Sequence, residues 1–155
     1  MTKEDFSIQV TSRQNQMYRI ARSYLQGEHD CLDAVSEAIL KAWQKQGTLR
    51  NEQYFGTWLC RILIRECVNI LRRQKRMIPM ESLPEEVQVE VDNGELYQAL
   101  SELPQKYRTI LVLHYMEGYS MREVAQILSI TQGTVSSRLH YARGQLRALL
   151  GEGML

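Results

Sequence analysis

The sequence predicts an all-α protein built from two small helical domains. Apolar residues recur at three- and four-residue spacing along most of the 155 residues, the period of a helix with one buried face. That period disappears between residues 77 and 94, "MIPMESLPEEVQVEVDNG", which holds two of the three prolines and most of an acidic run. It reads as a partly extended linker. Residues 1–76 and 95–155 are then the two domains.

In the first domain, Met17, Ile20, Ala21 and Tyr24 fit the stripe of a first helix. Asp30 is placed to cap a second, which carries Leu32, Val35, Ile39 and Trp43 and runs to about Gln46, stopping at Gly47. Residues 47–54, "GTLRNEQY", are polar and read as a loop. A third helix starts near Phe55, carries Trp58, Leu59, Ile62 and Leu63, and ends in "LRRQKR". Phe55 and Trp58 start its apolar stripe and read as core.

In the second domain, Leu96, Ala99, Leu100 and Leu103 make a short helix. Pro104 suits the first position of the next, because its missing N–H would be unpaired there anyway. That helix carries Tyr107, Ile110, Leu111 and His114 and ends at Gly118. Ser120 and Glu123 have the spacing of a capping box, ahead of an inner face of Met121, Val124, Ala125 and Leu128. A break follows at Ser129-Ile130, and Thr131 can cap the last helix. Val135, Leu139, Ala142, Leu146 and Leu149 form the inner face of that helix.

Composition removes several function classes. A hydrophobic share of 44% and a charged share of 24% suit a globular chain. No run approaches the ~18 apolar residues of a membrane span. The start, "MTKEDFSIQVTSRQ", lacks a signal pattern, so a cytoplasmic protein is expected. Cys31, Cys60 and Cys67 contain no CxxC, and His29, His114 and His140 have no ligand spacing with them. Reduced, buried thiols are expected, with no metal and no cofactor. An enzyme such as a nuclease would need a carboxylate cluster or a metal-spaced set, and neither is present, so no catalytic residue is assigned.

Charge is informative through its distribution. Residues 61–76 sum to +5, residues 77–95 to −6 and residues 131–150 to +3, within an overall +1. Two basic segments separated by an acidic one can hold polyanion at two places. The capped helix, tight turn and longer helix at the end of the chain also make a helix-turn-helix pattern, whose second helix can enter a major groove. Its outer face carries Gln132, Ser136, Ser137, His140 and Tyr141, flanked by Arg138 and Arg143. These side chains can bond base edges or phosphates. The exposed N–H groups before Thr134 can hold a phosphate. A plain helical hairpin with a solvated outer face would show the same pattern.

"GTVSSRLHYARGQL" (133–146) and "LPQKYRTILVLHYMEGYSMREVAQIL" (103–128) resemble sigma region 4 of the extracytoplasmic-function (ECF) sigma factors. "DCLDAVSEAILKAW" (30–43) resembles region 2.2, matching at Asp30, Asp33, Glu37 and Trp43, with Ser36 and Ile39 where Gln and Phe are usual. "FGTWLCRILIRECVNILRR" (55–73) resembles regions 2.3 and 2.4, and the likeness spans about 13–76 and 96–150. It implies a sigma factor of regions 2 and 4, without regions 1.1 or 3, that directs core RNA polymerase to promoters.

The resemblance also implies roles. Asp30, Asp33 and Glu37 would meet the arginine-rich clamp coiled coil of the largest polymerase subunit, with the polymerase flap as a further contact. Asp33 and Glu37 lie on adjacent turns, away from the Val35/Ile39 stripe. Asn51 and Tyr54 would hold a flipped minus-ten base, with Arg65, Asn69, Arg72 and Arg73 along the following helix; Arg61 suits an inter-helix salt bridge or a phosphate equally. Gln132, Thr134, Ser136, Ser137, Arg138, His140 and Tyr141 would face the minus-35 element. Promoter DNA and an anti-sigma factor, soluble or membrane-bound, are the expected partners, with no small-molecule substrate.

Four positions depart from the family's habit. Leu49 stands where an aromatic is frequent, Arg65 where Asn is frequent, and Ser136 and Tyr141 where basic residues are frequent. The acidic linker could span up to ~60 Å at ~3.3 Å per residue, enough for separated promoter elements. It suits either nucleic-acid mimicry in a polymerase channel or a solubilising spacer. A conventional helix-turn-helix regulator would leave the region 2 match unexplained, and a protein that binds polymerase or another partner without touching DNA would keep transcription unchanged when Ser137 and Arg138 are substituted.

Overall fold

The structure is a computed structural model describing residues 1–77 and 94–151. The described residues form eight α-helices and no strand, in two compact units. The linker residues between 77 and 94 lie outside the described residues.

Unit 1 opens with a helix that the apolar stripe did not announce. In α1 (Lys3–Thr11) the Thr2 Oγ1 accepts from the Asp5 N–H at 3.1 Å, and Glu4 and Asp5 sit favourably in the first turn. Only Phe6 and Val10 of α1 are buried, too few to show a period. In α2 (Gln14–Arg22), Met17, Ile20 and Ala21 are buried as expected, with Tyr24 just beyond the helix end.

The next helix, α3 (Glu28–Lys45), corrects the sequence reading twice. Its N-cap is Gly27, and Asp30 lies inside the first turn. Its buried face is Cys31, Ala34, Val35, Ala38 and Ala42, not the expected Leu32–Trp43 line. Leu32 is 49% exposed and Trp43 39%, while Val35 is buried and Ile39 half-buried. The cause is the position of α3, which packs on both α2 and α4. Small side chains let helix axes approach, so alanines take the contact and the larger residues turn outward.

Two 3-10 turns, Gln46–Thr48 and Glu52–Tyr54, shape the expected loop. The long helix α4 (Phe55–Met77) follows, with Phe55, Leu59, Ile62 and Leu63 buried and Trp58 half-buried. Across α3 and α4 the Lys41 ammonium pairs with the buried carboxylate of Glu66. A buried charge without that partner would be costly. All three cysteines are buried and none is in a disulfide among the described residues. Burial pushes the Cys31 thiol up to about 11 and Cys67 to about 12. Thiols held above their normal pKa are neutral at pH 8 and weak nucleophiles. At that pH, iodoacetamide is expected to reach Cys31 and Cys67 at a rate set by unfolding and rising with denaturant. Rapid labelling of the native chain would contradict this.

Unit 2 comprises α5 (Gly94–Glu102), α6 (Gln105–Leu111), α7 (Met121–Leu128) and α8 (Gln132–Leu150). Pro104 is the N-cap of α6, at ψ 144°, one residue earlier than the first helical position expected. The half-buried Arg108 guanidinium donates to the Ser101 and Leu103 carbonyls, satisfying acceptors left over where α5 ends. Burial also lowers its pKa. The α6 path continues as a π-helical turn, Val112–Met116, and the chain reverses at Gly118, φ +77°. Only glycine adopts that φ readily.

The Ser120/Glu123 capping box is present in both directions, at 3.1 and 3.0 Å. The inner face of α7 is Val124, Ala125 and Ile127, with Leu128 half-buried. Met121, expected inside, is 41% exposed because it opens the helix before α7 meets the core. Ser129 closes α7 in the left-handed region, φ 57°. Val135, Leu139, Ala142 and Leu146 of α8 are buried as expected. Leu149 is 45% exposed, since the last turn of α8 runs past the core. Leu96, at the start of α5, is exposed for the same geometric reason.

Candidate functional site

The carboxylates expected to bind polymerase are carried by α3. Asp33 and Glu37 are exposed, one turn apart, and His29 Nε2 stands 3.4 Å from Asp33 Oδ2. Asp30 differs from them. Its Oδ2 accepts a 2.6 Å hydrogen bond from Gln74 Nε2 of α4, so part of its capacity is spent inside unit 1.

Asp33 and Glu37 form one side of a groove of about 710 Å³ whose other side is Asn69, Arg72, Arg73 and Arg76 of α4. The Lys41–Glu66 pair lies in its lining. The structure thus brings together residues that the sequence reading had divided between polymerase and DNA. Opposed acidic and basic edges lie across one cleft.

The minus-ten candidates divide instead. Asn51 caps the second 3-10 turn, its Oδ1 accepting from the Gln53 N–H at 3.0 Å, which leaves the amide NH2 to recognise a ligand. Tyr54 ends that turn and is 56% exposed. Arg73 lies eighteen residues beyond Phe55 on α4, about 27 Å away along a helix axis. The loop pair and the arginines therefore sit toward opposite ends of α4, with exposed Arg65 between them. Arg61 is exposed and makes no ion pair among the described residues. Lys41 and Glu66 form an ion pair between α3 and α4.

In unit 2, Thr131 Oγ1 accepts from the Thr134 N–H at 3.1 Å and bonds Thr134 Oγ1 at 2.8 Å, fixing the start of α8. Thr134 is thereby a half-buried part of the cap. Gln132, Ser136, Ser137 and His140 are exposed along the following turns, with Arg138 half-buried beside them. Ser137 Oγ donates to the Thr134 carbonyl at 3.1 Å, leaving its lone pairs to accept.

Two side chains are diverted from a purely outward role. The Tyr141 ring stacks on Tyr107 of α6, centroids 4.7 Å apart and 38° between planes. Arg143 Nη1 donates to Tyr115 Oη at 3.0 Å, drawing the guanidinium toward the π-helical turn. Neither tyrosine partner was foreseen as part of this face. Tyr107 reads as core from the sequence and is half-buried; its three- and four-residue spacing to Ile110 and Leu111 gives no sign of a stack. No cluster of three metal-ligating side chains exists among the described residues.

Known proteins bear the same layout. Residues 10–77 match the family model for sigma-70 region 2, and residues 93–146 match that for sigma-70 region 4. The chain is 34% identical over 146 residues to the RNA polymerase sigma factor SigV of Bacillus subtilis, covering 91% of this chain and 88% of that one. It is 34% identical to the ECF RNA polymerase sigma factor SigM of Mycobacterium tuberculosis, covering 88% of this chain and 72% of that one. The solved sigma factor RpoE of Bartonella quintana, in complex with the anti-sigma factor NepR, superposes with TM-score 0.80 at 24% identity, covering 95% of this chain and 97% of that one. CnrH in complex with the cytosolic domain of CnrY gives 0.76, covering 98% and 91%.

The chain belongs to the sigma-70 family of RNA polymerase sigma factors, in its ECF branch. It directs transcription initiation and is not an enzyme. No helix among the described residues is long and apolar enough to cross a membrane.

Proposed function

We propose that unit 1 docks on core RNA polymerase through Asp33 and Glu37, with Asp30 holding the end of α4 in place behind them. The α3 face is exposed and acidic, as contact with an arginine-rich coiled coil requires. The same unit takes the minus-ten element, Asn51 and Tyr54 receiving an unstacked base while Arg65, Asn69, Arg72 and Arg73 follow the strand. Unit 2 takes the minus-35 element on Gln132, Ser136, Ser137, Arg138, His140 and Tyr141, with Thr134 setting the helix start. The polymerase flap is its contact on the enzyme. Residues 77–94 connect the two, and the protein works in the cytoplasm. An anti-sigma factor is proposed to hold the chain when it is free of polymerase.

The observation that carries the minus-35 assignment is the capped N-terminus of α8, with polar side chains exposed along its next two turns. A conventional regulator would share this feature, but region 2 gives such a protein no role.

Position 136 supplies the test. It is exposed and carries no charge where relatives of this family often have a base. Ser136→Arg adds one phosphate contact, so the log–log salt slope of holoenzyme binding to a minus-35 duplex should steepen by ~0.9. Affinity at low salt should rise several-fold. An unchanged slope means that position 136 does not face DNA.

A further inference from the structure

The loop that carries Asn51 and Tyr54 leaves α3 just after Trp43 and enters α4 at Phe55. Phe6 of α1 touches the aromatic ring at each of these stems. Its centroid lies 5.1 Å from Trp43 at 66° and 5.8 Å from Phe55 at 88°, both edge-to-face. Phe55 in turn leans on Trp58 at 5.7 Å and lies 5.5 Å from the Arg13 guanidinium. Phe6 is 6% exposed and Phe55 1%, so their contact is buried, while Trp43, 39% exposed, closes the cluster on its solvent side. The residues ahead of α1 reach the loop itself, with the Met1 nitrogen 3.5 Å from Glu52 Oε1 in the second 3-10 turn.

A nine-residue excursion between two helices would sample many shapes unless its ends were fixed. Here the ends are joined through one ring from a third helix. We propose that α1 is the positioning element of the minus-ten loop, and that Phe6 sets the separation of its stems so that Asn51 and Tyr54 meet a base preformed. This rests on the assignment of residues 49–54 to the minus-ten element. Phe6 is a positioning residue; it touches no DNA. A purely structural Phe6 would, when truncated, weaken every activity together. A positioning Phe6 weakens base choice alone.

The experiment uses holoenzyme reconstituted from the full chain and purified core polymerase. The probe is a single-stranded oligonucleotide library with six randomised positions, sequenced before and after capture. Discrimination is the ratio of best to worst base at the most constrained position. Phe6→Ala is expected to lower that ratio about tenfold, with core affinity and minus-35 duplex affinity within twofold of wild type. Phe6→Tyr, which keeps the ring, should restore discrimination to within twofold. Ile8→Ala, on the exposed side of α1, should leave it unchanged.

If Phe6→Ala fails to fold, Phe6→Leu decides. It keeps apolar bulk without the edge-to-face contacts and should lose about threefold in discrimination. Wild-type discrimination in folded Phe6→Ala or in Phe6→Leu overturns the proposal, as does equal loss of all three activities in a folded variant. A wild-type holoenzyme that selects no base at all refutes the loop assignment instead.

Discussion

Reversing two carboxylates on α3 is expected to abolish holoenzyme formation. With Asp33→Lys and Glu37→Lys together, affinity for core polymerase should fall at least a hundredfold. Both side chains are exposed and neither supports the core, so the variant should still fold. The loss would come from like charges facing across an interface, which cost several kcal/mol. Asp33→Asn with Glu37→Gln should lie between, near a tenfold loss, because it removes attraction without adding repulsion. The groove makes a second control necessary. New lysines would also face Arg72, Arg73 and Arg76 across the cleft, so the helicity and melting temperature of the isolated chain must be measured beside the affinity. Unchanged affinity in a folded double variant would remove α3 from the polymerase interface.

Removing the guanidinium groups of Arg72 and Arg73 should separate opening from docking. The double alanine variant is expected to bind core polymerase within threefold of wild type and to open promoter DNA at least tenfold more slowly. Each arginine lost from a single-strand contact should reduce the salt slope by ~0.7, so the pair should reduce it by ~1.4. Opening is read by permanganate reactivity of unpaired thymines in the minus-ten region. If core affinity falls as far as opening, the basic edge of the groove belongs to the polymerase contact, and the minus-ten element is left to Asn51, Tyr54 and Arg65. The shared groove makes that a real alternative outcome.

The last two helices were legible in the sequence because their ends are written in side chains. Ser120, Glu123 and Thr131 can cap only in a few places, and the four-three-four spacing from Val135 to Leu146 fits one face. α3 was legible as a helix but not in its orientation. The reading weighted large apolar residues, whereas close packing between two neighbours selects small ones, so Ala34, Ala38 and Ala42 went unnoticed. α1 was missed because two buried residues make no period.

At the site, the α3 carboxylates and the α8 polar face could be read from their failure to fit an apolar stripe. Three features depend on contacts remote in sequence and had no local signal: Asp30 with Gln74, Tyr107 with Tyr141, and Phe6 with Trp43 and Phe55. The π-helical turn at Val112–Met116 likewise has no mark in the spacing of Tyr107, Ile110 and Leu111.

Run-off transcription with purified core polymerase on genomic templates tests the residue assignments most directly. The wild-type chain should confer initiation at discrete promoters that core polymerase alone ignores. The Asp33/Glu37 reversal should erase those transcripts, and the Arg72/Arg73 double alanine should weaken them while polymerase binding persists. Wild-type transcript levels from both variants, with the proteins folded, would contradict the account.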